Sequence, residues 1–132
     1  TTLFRSQCTS KEFMKIDIKS VSGHGDYDKE FVTLNVNEDC DAGKHMLTDT
    51  TYTSDGKVSA LLRHVFWLPD KQVKKGDFIF VYTKAGTNTS FANKAGTTTH
   101  SFYWGLKTAV WNDAKDCAVL IEIASWQHKA TK

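Results

Sequence analysis

Alternation of apolar and polar residues with a period of two is the main pattern along this chain. From residue 13 to residue 19, Met14, Ile16 and Ile18 alternate with lysine and aspartate. From residue 31 to residue 37, Val32, Leu34 and Val36 alternate with threonine and asparagine. Because successive side chains of a strand point to opposite faces, each segment predicts a strand with one buried and one solvated face. Strands of this kind are typical of antiparallel sheets.

Further strands are predicted where β-branched and aromatic residues cluster between turn residues. They cover Val65–Trp67, the doubly apolar run Phe78–Tyr82 and the closing run Cys117–Trp126. A short helix over Ser59–Arg63 is the local alternative to extended chain. Turn signals every 8–12 residues or so predict a β-sandwich or barrel. Trp104 and Trp111 are expected to fill its core, where they would bury large apolar areas.

The chain has 132 residues, which is the size of one domain. We expect an N-terminal arm over residues 1–12, a β-sandwich over 13–127 and a polar tail over 128–132. No apolar run approaches the roughly 20 residues of a membrane-spanning helix.

The longest polar region runs from Lys84 to Ser101 and has no clear periodicity. It predicts a long loop, and such loops often carry function. Phe91 interrupts the polar run, so the loop is expected to bind a partner with Phe91 as anchor, surrounded by Lys84, Lys94 and His100. Disorder of the loop is the alternative.

The order of these signals resembles the lamin tail domain, an immunoglobulin-like β-sandwich. The resemblance spans roughly residues 13–126, and its individual motifs are weaker than their succession. The matching segments are Ile16-Asp17-Ile18, Glu30–Asn35, Leu47-Thr48-Asp49, Phe66–Asp70, Val73–Thr83, Ala109–Asp113 and Asp116–Leu120. Departures occur at Gly43–Leu47, which lacks the usual tryptophan, at Ala114-Lys115, and in the shortened final hairpin. The predicted fold class is therefore an all-β, antiparallel immunoglobulin-like sandwich of about seven to eight short strands.

The resemblance implies a docking module without catalytic residues, whose partners include proteins, chromatin or nucleic acid, and cell-surface components. We therefore expect a non-enzymatic binding or adaptor domain that docks to another protein through its loops, with an inhibitor or accessory factor as one form of that role. An edge strand is also available for pairing in a homodimer.

A weak nucleic-acid-binding module is the first alternative function. Lys74, Lys75 and Lys107 would contact phosphates beside aromatic residues, as in single-strand binders. The formal net charge is only +2, which argues against a protein that depends on neutralising phosphates. A small hydrolase whose site is not visible in the sequence is the second alternative, because Ser22-Gly23-His24-Gly25-Asp26 is only a turn.

Metal and cofactor binding find little support in the sequence. The five histidines show no HxH or HxxxH spacing, so we expect no cofactor and no zinc site. Two acidic loops, with Asp26 and Asp28 in one and Glu38, Asp39 and Asp41 in the other, would suit calcium if they met at one end of the sandwich. Asx turns are the preferred interpretation of both loops.

The cysteines are Cys8, Cys40 and Cys117, without a CxxC pair. An odd number favours reduced thiols and a cytoplasmic location. One disulfide plus a free thiol, in a secreted protein, is the alternative.

Overall fold

Strands account for almost all regular structure in the computed structural model, which describes residues 4–5 and 13–132. The helical structure of those residues is one 3₁₀ turn, Ala42–Lys44. The strands are β1 (Phe4–Arg5), β2 (Ile16–Ser22), β3 (Phe31–Val36), β4 (Cys40–Asp41), β5 (His45–Thr51), β6 (Val58–Ser59), β7 (His64–Trp67), β8 (Gln72–Val73), β9 (Phe78–Tyr82), β10 (Thr89–Ala92), β11 (Thr98–Tyr103) and β12 (Asp116–Glu122).

Two sheets form the body of the molecule. A five-stranded sheet has the order β10-β11-β9-β3-β2, and a three-stranded sheet has the order β12-β5-β7. The short strands pair as β1-β6 and β4-β8. All these pairings are antiparallel except β9 with β11, which is parallel, because the connection between them contains β10. The predicted all-β, mainly antiparallel sandwich is confirmed. The described residues form twelve strands, more than the predicted seven to eight, because four short strands pair outside the two larger sheets.

The core lies between the two sheets. Val32 and Leu34 of β3 and Ile79 and Val81 of β9 are buried on one side, and Leu47 of β5 is buried on the other. The predicted core role of the tryptophans is confirmed. Trp111 is buried and Trp104 packs against the same cluster, with their ring centroids 6.2 Å apart.

A buried carboxylate joins three connections at one end of the sandwich. Glu30 is fully buried, and its Oε1 accepts the N–H of Gly25 at 3.0 Å and that of Trp111 at 3.4 Å. Its Oε2 accepts the N–H of Val110 at 2.8 Å and the hydroxyl of Thr83. Each of these donors is a neutral group, so Glu30 satisfies turn backbone that would otherwise be buried without an acceptor.

The expected loop over Lys84–Ser101 is wrong at residues 89–92 and 98–101, which are strand. Residues 89–92 form β10 and residues 98–103 form β11, and the two make an antiparallel hairpin. In its turn, Asn93 Oδ1 accepts the N–H groups of Ala95 and Thr97, and Gly96 has a φ of +82°. Threonine and serine dominate these strands, so hydrophobic alternation is weak although β-branched threonine favours extended chain.

Two smaller expectations also change. The first long strand begins at Ile16, and Ser59–Arg63 contains the end of β6 followed by a bend and irregular chain, with no helix. The expected arm over residues 1–12 lies outside the described residues apart from β1, and Cys8 lies outside them as well.

Candidate functional site

The four residues of the expected partner-binding loop do not form one surface. Phe91 is 48% exposed on edge strand β10, and Lys94 is exposed in the hairpin turn. Lys84 follows β9, with its Nζ 5.9 Å from the ring centroid of Tyr82. His100 is buried and 4% exposed, so its assignment as a surface contact is wrong.

The three lysines expected to contact nucleic acid are exposed but separated. Lys74 and Lys75 lie in the turn before β9. Lys107 follows Leu106, whose N–H bonds to the carbonyl of Thr83 beyond the other end of β9. A five-residue strand is about 17 Å long, so these lysines are not a single patch.

The acidic loops lie at opposite ends of β3, so they do not meet as a calcium site would require. Asp26 Oδ1 accepts the N–H of Asp28 at 3.1 Å, and Asp41 Oδ1 accepts the N–H of Gly43 at 2.8 Å. Asp39 Oδ1 accepts the N–H of Lys75 at 2.8 Å. Among the described residues, no group of three or more His, Cys, Asp or Glu side chains is arranged to hold a metal ion.

The outer face of the three-stranded sheet is largely apolar, with the buried Thr48 on its central strand. Register places Trp67, Met46 and Ile121 in one row. It places Val65, Thr48 and Val119 in the next row, while Leu47 and Phe66 point to the core. We call this surface, with Trp126 beside it, the apolar face. An antiparallel sheet with one side in water normally has polar residues there.

The most exposed residues of the apolar face lie on β7 and beside it. Val65 is 51% exposed, Trp67 is 44% exposed and Trp126 is 54% exposed. The indole N–H of Trp67 donates to the carbonyl of Gly43 at 2.7 Å, and the Trp126 ring packs edge-on against Trp67 with centroids 4.9 Å apart. These contacts hold the Trp67 ring in place while leaving part of its surface in solvent.

Strand β7 is also an edge strand. The N–H of Leu68 bonds to the carbonyl of His45 at 3.1 Å, and hydrogen-bonded pairs alternate along an antiparallel ladder. The main-chain groups of Phe66 and His64 therefore point to β5, whereas those of Val65 and Trp67 point away from it. Within residues 4–5 and 13–132, no strand pairs with that side of β7.

The outer face of the five-stranded sheet has a different character. Phe31, Phe78, Phe80, Tyr82 and Tyr103 lie on it by register, and all five are half-buried. We call these rings the aromatic face. The Phe31 and Phe80 centroids are 4.9 Å apart, and Tyr82 and Tyr103 stack at 5.0 Å with an interplanar angle of 14°.

Two lysines and a loop cover parts of the aromatic face. Lys19 Nζ lies 5.1 Å from the Phe78 centroid, and Lys84 lies over Tyr82. The loop after β9 crosses Tyr103 so closely that a Cβ on Gly86 would overlap the ring. Four of the rings, those of Phe31, Phe80, Tyr82 and Tyr103, therefore pack against one another, and the face is partly covered from outside.

A hydrogen-bonded chain of aspartate, histidine and serine lies at the β10 edge, and sequence analysis did not find it. Asp77 Oδ2 is 2.9 Å from His100 Nε2, and His100 Nδ1 is 2.7 Å from Ser90 Oγ. Ser90 and His100 are cross-strand neighbours in the hairpin, and Asp77 precedes β9. The sequence signal that could have revealed this contact is the hairpin turn, because a hairpin centred on Ala95 places residue 90 opposite residue 100.

Asp77 is held as a carboxylate by its neighbours. Burial raises its pKa, but hydrogen bonds from the Lys74 N–H, the His100 imidazole and the Thr98 N–H together outweigh burial, so the pKa lies below its ordinary value. A depressed carboxyl pKa stabilises the fold above the unfolded pKa, and the stabilisation is lost as pH falls through the folded value.

Two other clefts contain buried polar atoms without a hydrogen-bond partner. His45 Nε2 lies at a cleft of about 430 Å³ that also includes Cys40 and Glu122, with 3.6 Å between His45 Nε2 and Glu122 Oε1. Trp111 Nε1 lies at a second cleft of about 370 Å³, beside His24. Neither arrangement brings a nucleophile within hydrogen-bond distance of a base.

Cys40 and Cys117 are free thiols. Burial raises the pKa of both, and nearby carboxylates act in the same direction. Raised thiol pKa values reduce the thiolate fraction, so neither cysteine has the properties of a reactive nucleophile.

No family model, curated protein or solved structure gave a match. The described residues contain no helix with the length and apolar character needed to cross a membrane.

Proposed function

We propose that this protein is a docking module that binds an extended, apolar segment of another protein at its apolar face. The observation that carries the proposal is the combination on β7 of exposed Val65 and Trp67 side chains with main-chain groups directed away from β5. A partner strand added to this edge would pair with the main chain and place alternate side chains against the tryptophans.

The energetic case rests on the anchored tryptophans. Exposed apolar patches on soluble proteins mark interaction sites, and tryptophan is enriched among the residues that dominate binding energy. Hydrogen bonding to Gly43 and packing against Trp126 already restrict the Trp67 side chain. Binding of a partner would therefore cost little further side-chain entropy at Trp67.

This proposal keeps the expected docking function and changes its location. The sequence placed the surface on Lys84, Phe91, Lys94 and His100, whereas the proposed surface lies on the other sheet. Docking of this kind needs no catalytic group. The lamin-tail resemblance is part of the same proposal, supported by the all-β sandwich and by the order of the matching segments.

Affinity capture from extracts of the source organism tests the proposal with a matched pair of variants. Val65→Asp places a charge on β7, and Phe91→Asp places one on β10. Both residues lie on edge strands and are similarly exposed, at 51% and 48%. We expect recovery of the partner to fall at least tenfold with Val65→Asp and to be unchanged with Phe91→Asp.

Two other outcomes would change the assignment of the docking surface or of its occupant. Equal recovery with both variants would contradict the apolar face as the docking surface. A concentration-dependent dimer of the purified wild-type chain in sedimentation equilibrium, abolished by Val65→Asp, would identify the occupant as a second copy instead.

A second candidate function is weak binding of single-stranded nucleic acid at the aromatic face. The observation that favours it is the placement of Lys19 and Lys84 over the rings, since single-strand binders combine stacking with phosphate contacts. Fluorescence anisotropy with a labelled oligonucleotide should show affinity that falls with salt, with a shallower salt dependence in the Lys19→Ala, Lys84→Ala double variant. Salt-independent binding or no binding at low salt would exclude it.

A further inference from the structure

Beyond docking, the β10 edge contains the parts of an activated serine. Ser90 and His100 are directly opposed on β10 and β11, and both lie on the inner side of the five-stranded sheet. Asp77 reaches the far side of the imidazole from the turn before β9. The chain of contacts runs 2.9 Å from Asp77 Oδ2 to His100 Nε2 and 2.7 Å from His100 Nδ1 to Ser90 Oγ.

The donor and acceptor of each hydrogen bond between Asp77, His100 and Ser90 follow from the ionised state of Asp77. A carboxylate only accepts hydrogen bonds, and Asp77 is fixed by the N–H groups of Lys74 and Thr98 at 3.0 and 3.1 Å. His100 therefore donates Nε2–H to Asp77. In the neutral ring Nδ1 then has no proton, so it accepts the hydroxyl proton of Ser90. This is the arrangement in which a histidine can act as general base toward a serine.

The three hydrogen-bonded residues differ in burial, and a reactive serine requires a shielded base and an accessible nucleophile. Asp77 and His100 are 6% and 4% exposed, whereas Ser90 is exposed. Ser90 also lines a cleft of about 240 Å³ together with Asp70, Lys71 and Asn88. The hydrogen bond between Asp77 and His100 is thus shielded, while Ser90 lies at the surface.

We propose that Ser90 is a nucleophile, activated by His100 and Asp77, that is acylated by small carboxylic esters entering this cleft. Ser90 Oγ attacks the ester carbonyl carbon while His100 Nδ1 takes the hydroxyl proton. The ester C–O bond then breaks, and the alcohol leaves with that proton. Water then attacks the acyl carbon while Nδ1 takes one of its protons. The bond between Ser90 Oγ and the acyl carbon breaks, Nδ1 returns the proton to Ser90 Oγ, and the net products are one acid and one alcohol.

Asn88 and Lys71, which line this cleft, are the donor side chains that we assign to the developing oxyanion. Asn88 Oδ1 accepts the N–H of Tyr103 at 3.0 Å, which fixes the amide and leaves its NH₂ group as a donor. Lys71 also lines this cleft, next to Asp70. Amide and ammonium donors of this kind stabilise tetrahedral intermediates. Relative to serine hydrolases, the two imidazole nitrogens exchange roles, so Nδ1 is the base.

A fluorophosphonate probe tests the proposal on the wild-type chain. The probe forms a P–O bond to an activated serine and releases fluoride, and mass spectrometry locates the modified residue. Ser54 is also exposed and serves as the internal control. We expect Ser90 to be labelled at least tenfold faster than Ser54, and p-nitrophenyl acetate to be hydrolysed by the wild type and not by Ser90→Ala.

Equal labelling of Ser90 and Ser54 would overturn the proposal and leave His100 as a buried histidine with a structural role. His100→Gln and Asp77→Asn should each reduce labelling at Ser90 toward the rate at Ser54, with folding checked by circular dichroism. The comparison within the wild type decides the question even if a variant fails to fold. Its outcome is independent of docking at β7, which lies on the other sheet.

Discussion

The outer faces of the two sheets are both rich in large apolar side chains, but they differ in how far these are covered. On the aromatic face the rings pack against one another, two lysines lie over them, and all five are half-buried. On the apolar face Val65, Trp67 and Trp126 remain 44–54% exposed. The rings of the first face therefore stabilise the fold, and the second face leaves apolar surface in solvent, which we propose a partner buries.

Removing a ring from the aromatic face should have the largest effect on stability. Phe80→Ala deletes a side chain packed against Phe31 and Tyr82, so we expect a loss of about 2–4 kcal/mol, below the full range for buried phenylalanine. Urea denaturation measures the loss. A change under about 0.5 kcal/mol would mean that these rings do not support one another, and the contrast between the faces would fail.

Adding a methyl group to the loop that crosses the aromatic face should reduce the free energy of unfolding by less than Phe80→Ala does. In Gly86→Ala the new methyl group overlaps the Tyr103 ring, so the loop or the Tyr82–Tyr103 stack must move, at a cost of about 1–3 kcal/mol. Thermal unfolding and tyrosine fluorescence report the change. Ala85→Gly is the neighbouring control for altered loop entropy, and equal stability of wild type and Gly86→Ala would show that the loop does not contact the ring.

The Asp77 carboxylate near the β10 edge should make the stability of the fold depend on pH. Asp77→Asn removes a charge-assisted contact to His100, and we expect it to cost about 1–3 kcal/mol at neutral pH. Because the folded pKa lies below the unfolded value of 3.8, the stabilisation is complete above that value and fades as pH falls through the folded pKa. Denaturation at a series of pH values should show the wild-type advantage shrinking below about pH 4. An advantage that persists unchanged in acid would contradict this account.

On the apolar face the smallest stability effect is expected. Val65→Thr keeps the β-branched shape on an exposed strand position and should change the free energy of unfolding by about 0.5 kcal/mol or less. Denaturation with Phe80→Ala in parallel provides the contrast. A loss comparable to that of Phe80→Ala would show that Val65 is packed within the fold and is not held for a partner.

The sequence predicts some strands of this fold better than others. Alternation located β2 and β3 because each has one apolar and one polar side. It could not reveal the apolar face, because Val119 and Ile121 on the outside of β12 are as apolar as the inward Leu120. It also missed β10 and β11, whose threonines and serines resemble a loop. The contact between Ser90 and His100 depends on hairpin register, which the sequence shows only once the turn is recognised.

Photo-crosslinking is the measurement that tests the docking surface most directly. p-Benzoylphenylalanine is introduced at position 65 in one protein and at position 91 in another, and each is irradiated in an extract of the source organism. The account predicts a covalent adduct with a different protein from position 65 and none from position 91. An adduct from position 91 alone, or none from position 65, would contradict it.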